Sequence, residues 1–119
     1  MIYTTYFSNL GNVPPWFKQI SIARTQPKAF DLPEFKAFAP SAALLWDYKK
    51  GKISWAEYEK RYFAQLEALP NLEKIKEHLR KYQDDKHDLV FVCWEGKGNP
   101  HCHRHLLTRF FKEFDIKEL

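Results

Sequence analysis

Between Leu89 and Arg104 the chain reads LVFVCWEGKGNPHCHR, and this stretch holds most of its reactive side chains. A run of apolar, β-favouring residues stops at Cys93, Trp94 and Glu95. A loop with Gly, Asn and Pro follows, and Cys102, His103 and Arg104 then open a helical pattern. Strand, loop and helix in that order form a junction of known use. In open α/β sheets, ligands bind beyond the carboxyl ends of the strands, against helix amino termini. Glu95, set directly after a strand, has the chemistry of a general base, a glycosidic nucleophile or a partner for a ribose hydroxyl. An ion pair with Arg104 or Arg24 is its structural alternative. Cys102 in a first helical turn would have its thiolate favoured by free N–H groups and the helix dipole, with His103 or Arg104 as charge partner. The plainer alternative is a small, partly buried thiol.

Advancing the last helix by about 100° per residue puts His103 on the apolar face of Leu106, Leu107, Phe110 and Phe114. His105 falls nearly opposite, toward water. Arg24 ends a second apolar run, QISIAR, and in a parallel sheet that end shares an edge with Glu95, Cys93 and the Ser8 that follows the first strand. Basic groups there suit an anionic substrate. The expected catalytic residues are therefore Glu95, Cys102 and His103, and the expected ligand-binding residues are Arg24, Arg104, Ser8 and Cys93.

Other chemistries fit less well. Cys93, His101, Cys102, His103 and His105 are all zinc-ligand types, but their spacing matches no common finger or knuckle, and the helical wheel separates His103 from His105. His101 and His105 could pair at i, i+4 only on the solvent side, so no metal is expected, and no cofactor is specified. A phosphatase-type loop needs several residues between Cys and Arg, and only His103 separates Cys102 from Arg104. Four glycines leave little material for a phosphate-binding loop or dinucleotide fingerprint.

The elements that must position these groups are legible in outline. Ile2 to Phe7 reads as a first strand, broken by Gly11, Asn12, Pro14 and Pro15. Gln19 to Arg24 reads as a second strand, and residues 25–40, with three prolines, as an irregular excursion. Ser41 can cap a helix that Gly51 ends. Ser54 and Glu57 match a capping box opening a helix with Trp55, Tyr58, Tyr62, Leu66 and Leu69 at helical spacing. A third helix runs from about Leu72 to Tyr82. The strand Leu89 to Trp94, apolar almost throughout, should be covered on both faces. A helix from about Cys102 to Phe114 and a short terminal strand within Asp115 to Leu119 complete the chain. The order predicts one α/β domain over residues 1–119, a small three-layer arrangement with a mainly parallel sheet of three to four strands flanked by helices.

Composition sets the remaining bounds. The 119 residues are 45% hydrophobic and 29% charged, as in a globular protein. The formal charge of +4 arises from 19 basic and 15 acidic residues that are interspersed, so it permits a phosphate-bearing ligand without arguing for nucleic acid. Aromatics reach 17%, which reads more readily as a core of bulky rings than as a base-stacking surface. No stretch approaches the roughly 20 apolar residues of a membrane span. MIYTTYFSNL lacks the pattern of a secretory signal, so a cytoplasmic setting with reduced thiols is expected.

The motifs resemble those of the domain of unknown function 488 family, which includes the YeaO-like bacterial proteins. The resemblance lies in the opening IYTTYFSN, the strand-ending Arg and following Pro of SIARTQP, and the CWE…PHCHRHLL segment. The stretch LLWDYKKGKISWAEYEKRYFAQL is similar to the YeaO-like helical region. One departure is Ile22, at a position that is often acidic in the family. The resemblance implies an α/β fold with a site at the strand ends and no established reaction. Taken together, the residues point to an enzyme acting on a nucleotide, nucleoside or related phosphorylated ligand. The alternatives are a binding or regulatory module for a small anionic ligand, and a nucleic-acid binder. No feature of the sequence specifies an oligomeric state.

Overall fold

The structure, a computed structural model, describes residues 1–84, 86–94 and 101–119. Four strands, β1 (Ile2–Tyr6), β2 (Lys18–Ser21), β3 (Leu89–Cys93) and β4 (Lys117–Glu118), form one parallel sheet in the order β2-β3-β1-β4. Helices α1 (Ala42–Lys49), α2 (Trp55–Glu67) and α3 (Leu72–Arg80) connect β2 to β3, and α4 (His103–Phe110) connects β3 to β4. The fold is the small α/β domain that the element order implies. Among the described residues, no helix is long and apolar enough to cross a membrane.

β3 lies between β2 and β1, in register from Ile2↔Leu89 to Tyr6↔Cys93 on one side and from Lys18↔Leu89 to Ser21↔Val92 on the other. All five of its residues are buried. Because side chains alternate along a strand, Leu89, Phe91 and Cys93 enter one core while Val90 and Val92 enter another. The first core is the larger and takes in residues of all four α-helices. Phe7, Val13 and Ala23 make the second, with Leu10, Phe17, Phe30 and Leu32 packed against it.

That asymmetry follows from the strand order. From β1 to β2 the chain moves two places one way, across the smaller core. From β2 to β3 and from β3 to β4 it moves the other way, across the larger core. Reversing direction and face together keeps all three crossovers at one handedness, as parallel connections require. Both long helical connections therefore share a face. The opposite layer consists of a 3-10 helix (Phe7–Asn12) and the proline-rich excursion rather than an α-helix.

Local signals explain most boundaries. Ser41 accepts from Leu44 N at 3.2 Å and Ser54 from Glu57 N at 3.1 Å, capping α1 and α2. The Glu57 carboxylate accepts from Arg61 Nε at 3.1 Å. Gly51, at φ 74°, takes the left-handed turn just beyond α1. Two boundaries depart furthest from expectation. β2 ends at Ser21, which bonds Pro33 O and Phe35 N on its outer side while Ile22 N still donates to Val92 O of β3, and Arg24 lies in the bend beyond the strand. The last helix begins at His103 with Cys102 as its N-cap and ends at Phe110. A 3-10 helix (Lys112–Phe114) follows, and Asp115 at φ 49° turns the chain into β4.

Candidate functional site

A cleft of about 650 Å3 opens at the carboxyl ends of β2 and β3, under α1 and α2. Its first wall is the turn after β2, with Ala23, Arg24 and Thr25. The second belongs to the helices. Trp55, Tyr58 and Tyr62 stand at i, i+3 and i+7 on α2, one above the next on a single face. Trp55 stacks on Tyr58 with centroids 4.7 Å apart, and the His101 ring stacks on Trp55 at 4.7 Å. Tyr48 of α1 meets Trp55 and Tyr58 at 5.4 and 5.3 Å, and its hydroxyl lies 2.9 Å from His101 Nδ1. Lys49 lines the cleft beside it.

The helices themselves are held by polar ties. The buried Tyr62 hydroxyl donates to Phe38 O at 2.7 Å, and Gln65 Nε2 donates to Ala39 O at 2.7 Å. Gln65 Oε1 also accepts from Ser41 N at 2.9 Å. α2 thereby fixes the segment that carries Pro40 and launches α1.

The floor is Cys93, Cys102 and His103, all buried and all lining the cleft. The two Sγ atoms are 2.9 Å apart, and both cysteines are free thiols. Cys93 Sγ lies 3.5 Å from His103 Nδ1 and 3.8 Å from Nε2. His103 Nε2 sits 2.8 Å from Ile22 O, an acceptor only, so in neutral imidazole Nε2 carries the proton and Nδ1 the lone pair. The Ile22 backbone thus orients the ring, at the position where the resembling family often has a carboxylate.

The Cys102 thiol is pushed up from its ordinary value, first by its hydrogen bond with Cys93 and then by burial, with His103 acting in the opposite sense. The expected lowering by a helix terminus does not occur. As the N-cap, with no side-chain hydrogen bond to the helix, Cys102 faces its partner thiol rather than the first-turn amides. The Tyr62 phenol is likewise held well above its usual range, mainly by burial.

The expected residues divide clearly. Cys93, Cys102, His103 and Arg24 come together around the cleft. Arg24 is exposed, and its Nη1 donates to Pro40 O at 3.3 Å. Arg104 does not line the cleft. It is fully buried, 3.1 Å from Glu118 Oε1, with its guanidinium carbon 5.6 Å from the Tyr6 ring centroid. Ser8 sits exposed in the 3-10 helix after β1 and does not line the cleft either. Glu95 lies outside the described residues.

The walls contribute residues that motif spacing had not singled out: Tyr48, Lys49, Trp55, Tyr58, Trp94 and His101. Trp94 is 49% exposed, and its Nε1 donates to Thr25 O at 2.5 Å. An exposed Trp directly after a buried strand was the available signal. For Trp55 and Tyr58, helical spacing alone could not separate a cleft wall from core.

Residues 11–114 match the model of the DUF488-N3a family, described as the active DUF488-N3 subclade. That match spans most of the chain, which therefore belongs to the DUF488 family. No curated protein and no solved structure matches it.

Proposed function

We propose that the chain is an enzyme acting on a nucleotide, nucleoside or related phosphorylated ligand bound in the cleft. One observation carries the reading: an aromatic wall, two cations and a thiol–imidazole floor converge on one cleft at the strand ends. Its volume of about 650 Å3 falls in the range of small-molecule sites. The exposed rings of Trp94 and His101 offer planar surfaces to a base. Arg24 and Lys49 would hold anionic oxygens. Cys93, Cys102 and His103 would face the reacting group, and Glu95, next in sequence to Trp94, would be the general base or nucleophile. Description of the matched subclade as active favours turnover over capture alone.

The test is thermal unfolding against a panel of nucleotides, nucleosides and sugar phosphates, followed by chromatography of each stabilising compound after incubation. A selective shift that Arg24→Ala abolishes, with product formed by wild type and not by Glu95→Gln, is expected. Binding without product would instead establish a ligand-capturing module. A panel with no shift would refute a small-molecule site here.

A further inference from the structure

We propose that Cys93, Cys102 and His103 form a binding site for a thiophilic divalent cation, with Zn2+ as its representative. Their donor atoms all lie within 4.8 Å of one another, at the end of β3 and the start of α4. Two sulfurs and an imidazole nitrogen select zinc-like cations over magnesium or calcium, which take oxygen ligands.

The distances support the assignment. Metal–sulfur bonds of about 2.3 Å and metal–nitrogen bonds of about 2.0–2.1 Å put tetrahedral S and N donors roughly 3.6 Å apart and two S donors roughly 3.8 Å apart. Cys93 Sγ and His103 Nδ1, at 3.5 Å, already have the first separation; Sγ is also 3.8 Å from Nε2, beside the ring, so the imidazole must turn to aim Nδ1 at a shared cation. The sulfurs, at 2.9 Å, must part by roughly 0.9 Å, which a modest side-chain rotation supplies.

His103 is also tied through its other nitrogen as a metal ligand commonly is. Its Nε2 is 2.8 Å from Ile22 O, which leaves the Nδ1 lone pair for a cation. Metal-bound histidines commonly donate their other N–H to a backbone carbonyl in this way. All three residues line the cleft, which gives a cation an entry path and directs the remaining coordination position toward a ligand. Three protein ligands and one outward position are the pattern of catalytic rather than structural zinc. On binding, the thiols become thiolates and their protons pass to solvent. Spacing rules missed the set because Cys93 and Cys102 meet through strand and helix geometry, and His105 is not needed.

Binding stands apart from the function proposed above, while any part in turnover rests on it. The experiment titrates the reduced, chelator-treated full chain with Co2+ and then with Zn2+. One equivalent of cobalt should give sulfur-to-metal charge-transfer absorption and the intense visible bands of tetrahedral Co2+, and zinc should displace it. Cys93→Ser and Cys102→Ser should each weaken the charge-transfer band, the double variant should lose it, and His103→Ala should bind at least roughly tenfold more weakly. His87→Ala, on an exposed turn, should match wild type. Should the serine variants fail to fold, wild type decides: Zn2+ should slow alkylation of both cysteines, mapped by peptide mass spectrometry. Folded, reduced wild type that takes up no metal overturns the proposal. So does a cobalt spectrum without sulfur character, or alkylation that zinc leaves unchanged. A metal-loaded protein inert to the whole nucleotide panel would overturn the function and leave this site standing.

Discussion

Arg104 shows how one side chain can carry a functional motif and act elsewhere. A guanidinium with no exposed surface must be paired, and its Nη2 finds Glu118 of β4 at 3.1 Å. The contact joins α4 to the shortest strand and holds the sheet edge beside β1. Glu118→Ala is therefore expected to destabilise by about 1.5–3 kcal/mol, the usual worth of a hydrogen bond to a charged group. Urea unfolding would measure the loss. Cleft affinity should not change in the same variant; a weakened ligand would move Arg104 back into the binding machinery. The helical wheel read His103 well because four apolar residues fix that face. It could not read Arg104, whose partner lies on a two-residue strand with no periodicity of its own.

At the scale of elements, α2 sets the cleft wall through polar ties as much as through packing. Tyr62→Phe keeps the ring but strips the donor from the carbonyl of Phe38, a fully buried residue. A deprived buried acceptor costs about 1–3 kcal/mol, so a loss in that range is expected by denaturant unfolding. Gln65→Ala, which frees Ala39 O and Ser41 N, should loosen the start of α1 and lower ligand affinity more than it lowers stability. Hydrogen exchange would locate the loosening in residues 41–49, and unchanged exchange there would refute the wall's dependence on α2. The helices were legible because Ser41, Ser54 and Gly51 mark their ends and apolar spacing marks their faces. The tie to residues 38–41 was not, since nothing in the proline-rich stretch signals which helix will hold it. Nor was the end of β2: the QISIAR pattern continues past Ser21, but after the Ile22 N–H bond to Val92 O the chain bends away, and residues 33–35 cover the outer side of Ser21.

Across the whole molecule, the cleft draws on segments far apart in sequence: 23–25, 40–58, 93–94 and 101–103. A ligand there bridges both helical connections, so it should stabilise the entire chain. At about 100 times its dissociation constant the gain is about 2.7 kcal/mol, and the midpoint should rise by roughly 10 °C for a domain of this size. Charge then separates a small ligand from a polymer. The net +4 is distributed among interspersed acids and bases, while among the described residues the Lys and Arg side chains lining the cleft are Arg24 and Lys49. A small anion neutralised by those two side chains should lose only modest affinity as salt rises. A nucleic acid neutralising many phosphates loses roughly 10³–10⁵ in affinity between 50 and 200 mM salt. Titrating one nucleotide and one oligonucleotide across that range would decide between them. A shallow slope for the nucleotide, abolished with binding in Arg24→Ala, places recognition in the cleft. A steep slope for the oligonucleotide, insensitive to Arg24, would instead assign recognition to the outer helix faces with exposed Trp46 and to exposed Trp16 in the turn before β2.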